Sequence, residues 1–248
     1  MESPRERLLS ILTNAMVPCN GRFPTLVIMA GLLCSGFGGA FIVAGCVVLG
    51  ILGAMISSGV LSKTVCKHKE TLFLMEMPPF RRPRFGQILV RSLVDRTLYI
   101  SLRAVKVAAP AGGILWFLAN MNALPGFVAL LEPFGVLLGM NGVILLGFLF
   151  SLPANELFIP VVLMGLSGAS SLNRVESLNT TALLSSALSW ETVICIIVFT
   201  LFHWPCATTL MTIYRETGSK KQTTAAFLLP TVVGCMICFV LNLIFSFF

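Results

Sequence analysis

From Thr25 to Leu61 the chain runs 37 residues without a single Asp, Glu, Lys or Arg. A soluble fold has nowhere to put such a stretch. One helix crosses a bilayer with about 20 apolar residues, so this run asks for two crossings. SGFGG at Ser35 to Gly39 supplies the turn between them. Glycines at close spacing in the second half, Gly45, Gly50 and Gly53, predict tight packing of that helix against another.

The remainder is of the same kind. Hydrophobic residues make up 56% of the chain and charged ones 11%, with a mean hydropathy of +0.93, where soluble domains carry roughly a quarter charged residues. The fold class is all-α: a polytopic membrane protein in a single membrane domain, residues 1–248. About six to eight helical segments of bilayer length fit the chain and leave no room for a soluble domain.

Charge placement sets the orientation. Ten of the seventeen Lys and Arg lie between Lys63 and Lys106. This marks 62–106 as a cytoplasmic basic loop under the positive-inside rule, and the net charge of +7 as no sign of nucleic acid. Prolines deny FLMEMPPFRRPR a helix. After it, Ile88, Leu89, Leu93, Tyr99, Ile100 and Leu102 fall on one side at helical spacing, which predicts an interfacial amphipathic helix leading into a crossing at Val107 to Leu118. If RETGSKK near Gly218 is also cytoplasmic, the number of crossings between the two loops is even. Either one of two proline-broken segments between them is re-entrant, or a further crossing lies near Leu130.

The first of these broken apolar runs contains LPANELFIP. Pro153 and Pro160 lack an N–H, which predicts freed carbonyls at Leu149 and Glu156 in the middle of the run Gly142 to Gly165. Irregular backbone at membrane depth is tolerated only when buried in protein or lining a cavity. Glu156 is the only charge in that run, and intramembrane acids are functional by default. The plainer role for Asn155 or Glu156 is to cap the second half-helix. FHWPCATTL repeats the pattern: Pro205 releases the carbonyl of Leu201, and Thr208 and Thr209 are placed to cap the second half-helix of that run. Paired broken segments point to a midplane binding site in transporters. His203 and Cys206 there offer an imidazole and a thiol, which suit Zn, Cu or Fe(II) better than Na⁺ or a sugar. Cys19, between Pro18 and Asn20, is a third candidate ligand. A polar connector from Ser167 to Asn179 lies between the two broken runs, and a last crossing starts near Thr224.

Other features carry less. Cys34, Cys46, Cys195, Cys235 and Cys238 sit in apolar runs and are expected to be free thiols, the CxxC at Cys235 included. His68 belongs to the basic loop and reads as solvated. The sequence contains no GxxxxGK[ST], HExxH or GxSxG motif, which weakens nucleotide hydrolase, protease and lipase readings.

In this order, ESPRERLLSILTNAMVPCNGRFPTL, FLMEMPPFRRPR, LLEPFGVLLG, LPANELFIPVVLMG and FHWPCATTLMTIYRETGS resemble the membrane domain of the ferrous iron transport protein B (FeoB) family. The resemblance implies a multi-pass protein of the inner (cytoplasmic) membrane that transports Fe(II), with no enzyme activity and no cofactor in this chain. The family's candidate iron-path cysteines match Cys19 and Cys206, and its second-gate motif matches Pro153, Asn155 and Glu156. On the same resemblance the chain corresponds to the C-terminal part of that domain, without the first gate helices or the GTP-binding G domain. An upstream FeoB-like polypeptide is expected to supply both, with the lipid bilayer or a homo-oligomer as the other contacts. Two alternatives stay open: a gate-type transporter of another solute such as a nucleoside, or a non-transporting membrane scaffold left from a split FeoB.

Overall fold

The computed structural model describes residues 4–64, 85–121, 123–167 and 180–247. FLMEMPPFRRPR, His68 and nearly all of the 167–179 connector lie outside them. Throughout the described residues the chain is helical or turn, without strands.

α1 (Pro4–Thr13) passes through a 3-10 turn (Asn14–Met16) and an irregular stretch carrying Pro18 and Cys19 before α2 (Phe23–Leu33) begins. α2 has 11 residues, about 16 Å of helix, which is half a bilayer core. Gly36, at φ +70°, turns the chain into the 28-residue α3 (Phe37–Thr64), giving the two helices expected across SGFGG. α4 (Phe85–Arg91), a π-helical stretch (Ser92–Leu98) and α5 (Tyr99–Asn120) form one continuous helical run. Along it Ile88, Leu89, Leu93 and Leu102 are left uncovered by the rest of the chain.

α6 (Leu124–Leu137) meets α7 (Gly142–Phe150) at a bend of 104°. Asn141 caps α7, its side chain accepting from Ile144 N at 3.1 Å, and Glu132 Oε2 accepts from Gly142 N at 2.7 Å. A turn and a 3-10 segment (Asn155–Leu157) come next, then α8 (Phe158–Ser167), α9 (Thr180–Ala187), α10 (Trp190–Phe202), α11 (Ala207–Thr217) and α12 (Lys220–Phe247). Among the described residues α3, α10 with α11, and α12 are long and apolar enough to cross a membrane, with α6 and α7 a fourth if the bent pair is one span.

The run Gly142 to Gly165 does not extend across as its length suggested. Gly147 packs against Val162 and Gly165 against Val143, so closely that a Cβ at either position would clash. That pairing makes α7 and α8 antiparallel: the segment enters, turns at 151–154 and returns.

α10 is the axis of the assembly. Its span with α11 is 50% buried within the chain, against 17% for α3 and for α12. Phe148 of α7, Phe158 of α8 and Phe199 of α10 fill the space beside it, with ring centroids 4.3 and 4.7 Å from Phe148. Lipid is as apolar as these side chains, so what favours this packing is close van der Waals contact rather than escape from water. The glycines show it. A Cβ on Gly50 would lie 2.9 Å from Met16 O and from Pro18 Cδ, and one on Gly53 2.6 Å from Phe202 Cε1. From the other side, a Cβ on Gly234 would lie 2.8 Å from Phe202 O. Gly45 is the exception to the expected pattern and faces open space.

A second, smaller cluster of Leu12, Leu61, Ile213 and Ala226 ties α1 to the ends of α3 and α11 and the start of α12. Arg7 also pairs with Glu216 there, at 3.7 Å. The point where the basic 63–106 segment begins and the RETGSKK loop therefore share one end of the bundle.

Candidate functional site

Three irregular stretches, at 17–22, 151–154 and 203–206, meet at the C-terminal end of α10, and Arg22 joins the first to the third. Its side chain is 2% exposed. Nη1 donates to Ala15 O at 2.6 Å and to Leu201 O at 3.0 Å, and Nη2 donates to His203 O at 3.0 Å and Trp204 O at 3.2 Å. Leu201 O is the carbonyl that Pro205 was expected to release, and the guanidinium takes it up. A planar fork of donors suits this task, since one side chain can reach acceptors on two chain segments at once. The backbone adds a further link: Ala207 N, the first N–H of α11, donates to Leu152 O at the hairpin tip at 2.7 Å.

The other two prolines act differently from expectation. Leu149 O is not free below Pro153, because Leu152 N donates to it at 3.2 Å in a tight turn. Pro160 is the third residue of α8, in the first turn, where a missing N–H leaves no bond unmade. It starts a helix rather than breaking one. Thr208 and Thr209 do not cap α11 either. Cys206 is its N-cap residue, and the two hydroxyls lie 3.0 and 3.2 Å from Cys206 Sγ.

The predicted site residues divide into an open group and a sealed one. Cys19 and Glu156 are exposed, and Cys206 is half-buried. Asn155 and His203 are buried, at 7% and 2% exposure. Asn155 connects the groups: Nδ2 is 3.5 Å from Cys19 Sγ, while Oδ1 has no partner, so Asn155 does not perform the capping role weighed for it. A Cβ on Gly21 would meet Asn155 Cβ at 3.4 Å and Glu156 Cγ at 3.7 Å, which brings the first break flush against the hairpin tip. The charge of Arg22 acts on both Cys19 and Cys206.

His203 sits among rings, 5.3 Å from Phe148 and 5.9 Å from Phe199 by centroids. Its Nδ1 lies 2.9 Å from Thr200 O and 3.1 Å from Phe199 O. Among the described residues no three His, Cys, Asp or Glu side chains gather closely enough to hold a metal ion. Those cysteines are all free thiols; in the CxxC, Cys238 is buried with Sγ 3.6 Å from Cys195 O.

Arg22 was not singled out from the sequence, although a signal exists: it is the only charged residue between Arg7 and Lys63. Glu132, alone between Lys106 and Glu156, has the same signature. Intramembrane charges are rare enough that isolation alone marks them.

Comparison with known proteins agrees with this architecture. Residues 43–95 match a family model described as ferrous iron transport protein B C terminus, and residues 101–220 match a gate model described as nucleoside recognition. An Fe(2+) transporter FeoB of Staphylococcus aureus is 26% identical over 257 residues, covering 97% of this chain and 37% of the relative. FeoB proteins of Synechocystis and Methanocaldococcus jannaschii are 23% and 24% identical, each covering 99% of this chain and 40% and 39% of their own length. The chain thus spans well under half the length of these relatives. No solved structure matches it. The two adjoining matches and the near-complete coverage by these relatives make the chain similar to the C-terminal part of ferrous iron transport protein B.

Proposed function

We propose that this chain is the C-terminal permease part of a ferrous iron transporter, and that Fe(II) passes the open side of the three-break junction. The observation that carries this reading is the placement of Cys19 and Cys206 on two different breaks about one buried guanidinium, with Glu156 on the same open side. Cysteine sulfurs and a carboxylate give a borderline cation such as Fe(II) successive partners. The lack of a closed three-ligand cluster among the described residues suits a cargo that must leave again. A nucleoside would be served better by aromatic and amide groups than by thiols.

For the orientation we take the α7–α8 hairpin as re-entrant, and take the shorter apolar part of α5 and the span of α10 with α11 as the two crossings between the basic 63–106 segment and RETGSKK. Two crossings put both loops on one side, and ten cations in the first make that side the cytoplasm. We take the membrane to be the inner one, as the likeness to FeoB implies. Cys19 and Glu156 are exposed on this chain, and lipid is a poor neighbour for a carboxylate. Further membrane helices of a FeoB-like polypeptide cover them, and its G domain supplies GTP binding; this chain itself is not an enzyme.

The test is Fe(II) uptake by the assembled transporter, with other divalent metals and nucleosides as competitors. Cys206→Ser lowers uptake at matched membrane abundance, whereas Cys235→Ser, in the unbroken α12, leaves it near the parent. Equal uptake by the two variants removes Cys206 from the path. Competition by nucleosides but not by metals overturns the cargo.

A further inference from the structure

Behind the thiols lies a cavity of about 10 Å³ whose polar walls are Arg22, Thr25, Ser151, Asn155, Thr200 and His203, every one of them buried. Three of these residues carry a buried polar atom without a hydrogen-bond partner: Arg22 Nε, Asn155 Oδ1 and His203 Nε2. The fourth such atom, Trp204 Nε1, belongs to a residue outside the cavity wall. An unmade hydrogen bond at a buried polar group costs about 1–3 kcal/mol. Three around one space call for an occupant.

The hydrogen positions decide what the occupant is. His203 Nδ1 faces two carbonyls, of Phe199 and Thr200, and carbonyls only accept. Nδ1 therefore carries the hydrogen. A second proton on Nε2 would set an imidazolium beside the buried guanidinium of Arg22, so Nε2 is a bare lone pair. Asn155 Nδ2 faces Cys19 Sγ, which leaves Oδ1 as an acceptor. Arg22 Nε–H can only donate. The three unpartnered atoms thus present one donor and two acceptors, and their complement has one acceptor and two donors.

We propose that this cavity binds a single water molecule, which accepts from Arg22 Nε–H and donates to His203 Nε2 and Asn155 Oδ1. The volume agrees, since about 10–15 Å³ on this measure holds one water and three partners are the usual number. Fe(II) has no hydrogen to give the two lone pairs and would face the positive edge of the guanidinium. An anion would face the two lone pairs. The water bridges all three breaks: Arg22 from the first, Asn155 from the hairpin tip, His203 from the third. It closes the junction on its inner side, and His203 acts as a positioning residue rather than an iron ligand. The water site stands on its own geometry; only its bearing on the iron route rests on the proposed transport function.

The chain has two histidines, so the test is direct. The full chain is labelled with ¹⁵N-histidine, reconstituted in lipid bilayers, and measured by solid-state NMR, with His68→Gln used to assign the signals. The expected result is a neutral His203 protonated at Nδ1, with magnetisation transfer from a bound water to the ring. Neither feature changes when Zn(II) is added as a diamagnetic probe. Asn155→Leu, which fills the space and removes one acceptor, reduces the water transfer at least tenfold and leaves the tautomer as it was. A ring protonated at Nε2, a His203 shift on adding Zn(II), or no water transfer in the parent chain overturns the proposal. Should Asn155→Leu fail to fold, the parent spectra decide alone. Loss of the iron reading would appear separately, in the Cys206→Ser uptake comparison.

Discussion

Arg22→Met keeps most of the side-chain volume and removes every donor that joins the breaks. Four carbonyls, of Ala15, Leu201, His203 and Trp204, lose the guanidinium. Hydrogen bonds to a charged group contribute about 1.5–3 kcal/mol each, so the gross loss is roughly 6–12 kcal/mol. Against this stands the relief of no longer burying an unpaired cation, several kcal/mol in its own right. The net is a local destabilisation of about 3 kcal/mol, or a factor of about 100 in the open population at 1.4 kcal/mol per tenfold. Hydrogen exchange reads that population at two amides on the junction: His203 N, bonded to Phe199 O at 2.8 Å, and Ala207 N, bonded to Leu152 O at 2.7 Å. In bilayer-reconstituted protein both should exchange about 100-fold faster in the variant, while amides in the middle of α3 keep their rates. Arg22→Lys should fall between, because an ammonium has the charge but not the fork. Unchanged protection at His203 and Ala207 in Arg22→Met would show that the breaks hold together without the guanidinium.

Gly234→Ala places a Cβ 2.8 Å from Phe202 O and should destabilise by about 1–3 kcal/mol, whereas Gly45→Ala, in open space, should be neutral or stabilising by up to about 1 kcal/mol. Thermal unfolding in matched detergent separates them, and equal melting points would refute the close approach of α12 to α10. Glu156→Gln keeps shape and loses charge, so Fe(II) uptake should drop if the carboxylate meets the cation; full uptake would return Glu156 to a structural role. Cys66, in the basic segment, should react with an impermeant maleimide in inside-out vesicles and stay protected in right-side-out ones, and the reverse pattern would invert the topology.

Two of the three breaks were legible in the sequence because each violates a rule that the apolar runs otherwise obey: a proline without a donor, a carboxamide or imidazole with no water nearby. Hydropathy counts residues but not direction. It could show that Gly142 to Gly165 had the length of a crossing, not that the chain turns back at 151–154. Direction is fixed by what α8 can pack against. The small residues that let it lie on α7, Gly147 facing Val162 and Gly165 facing Val143, were present in the sequence as ordinary glycines of an apolar run. Pro160 misled for a related reason: a proline reads the same in the first turn of a helix as in its middle until the start of the helix is known.

Arg22 was missed on different grounds, and they bear on how such a site works. A broken helix was read as exposing carbonyls to a passing ion. In the folded chain the carbonyls around Arg22 already have a cation, supplied from the first break and tethered to it. Leu201, His203 and Trp204 are therefore not free acceptors waiting for Fe(II). The metal-ligating groups on the first and third breaks that are not sealed inside are the thiols of Cys19 and Cys206. A gate assembled this way changes state when the breaks part, because the guanidinium can hold all four carbonyls only while 17–22 and 203–206 are together. On the proposed route, iron passage and junction opening would be linked through one side chain. A variant that loosens the junction without touching a thiol should alter transport in the same experiment that shows faster exchange at Ala207. If Arg22→Met accelerates exchange about 100-fold and leaves Fe(II) uptake at the parent level, the junction is a structural pin and the iron route lies elsewhere.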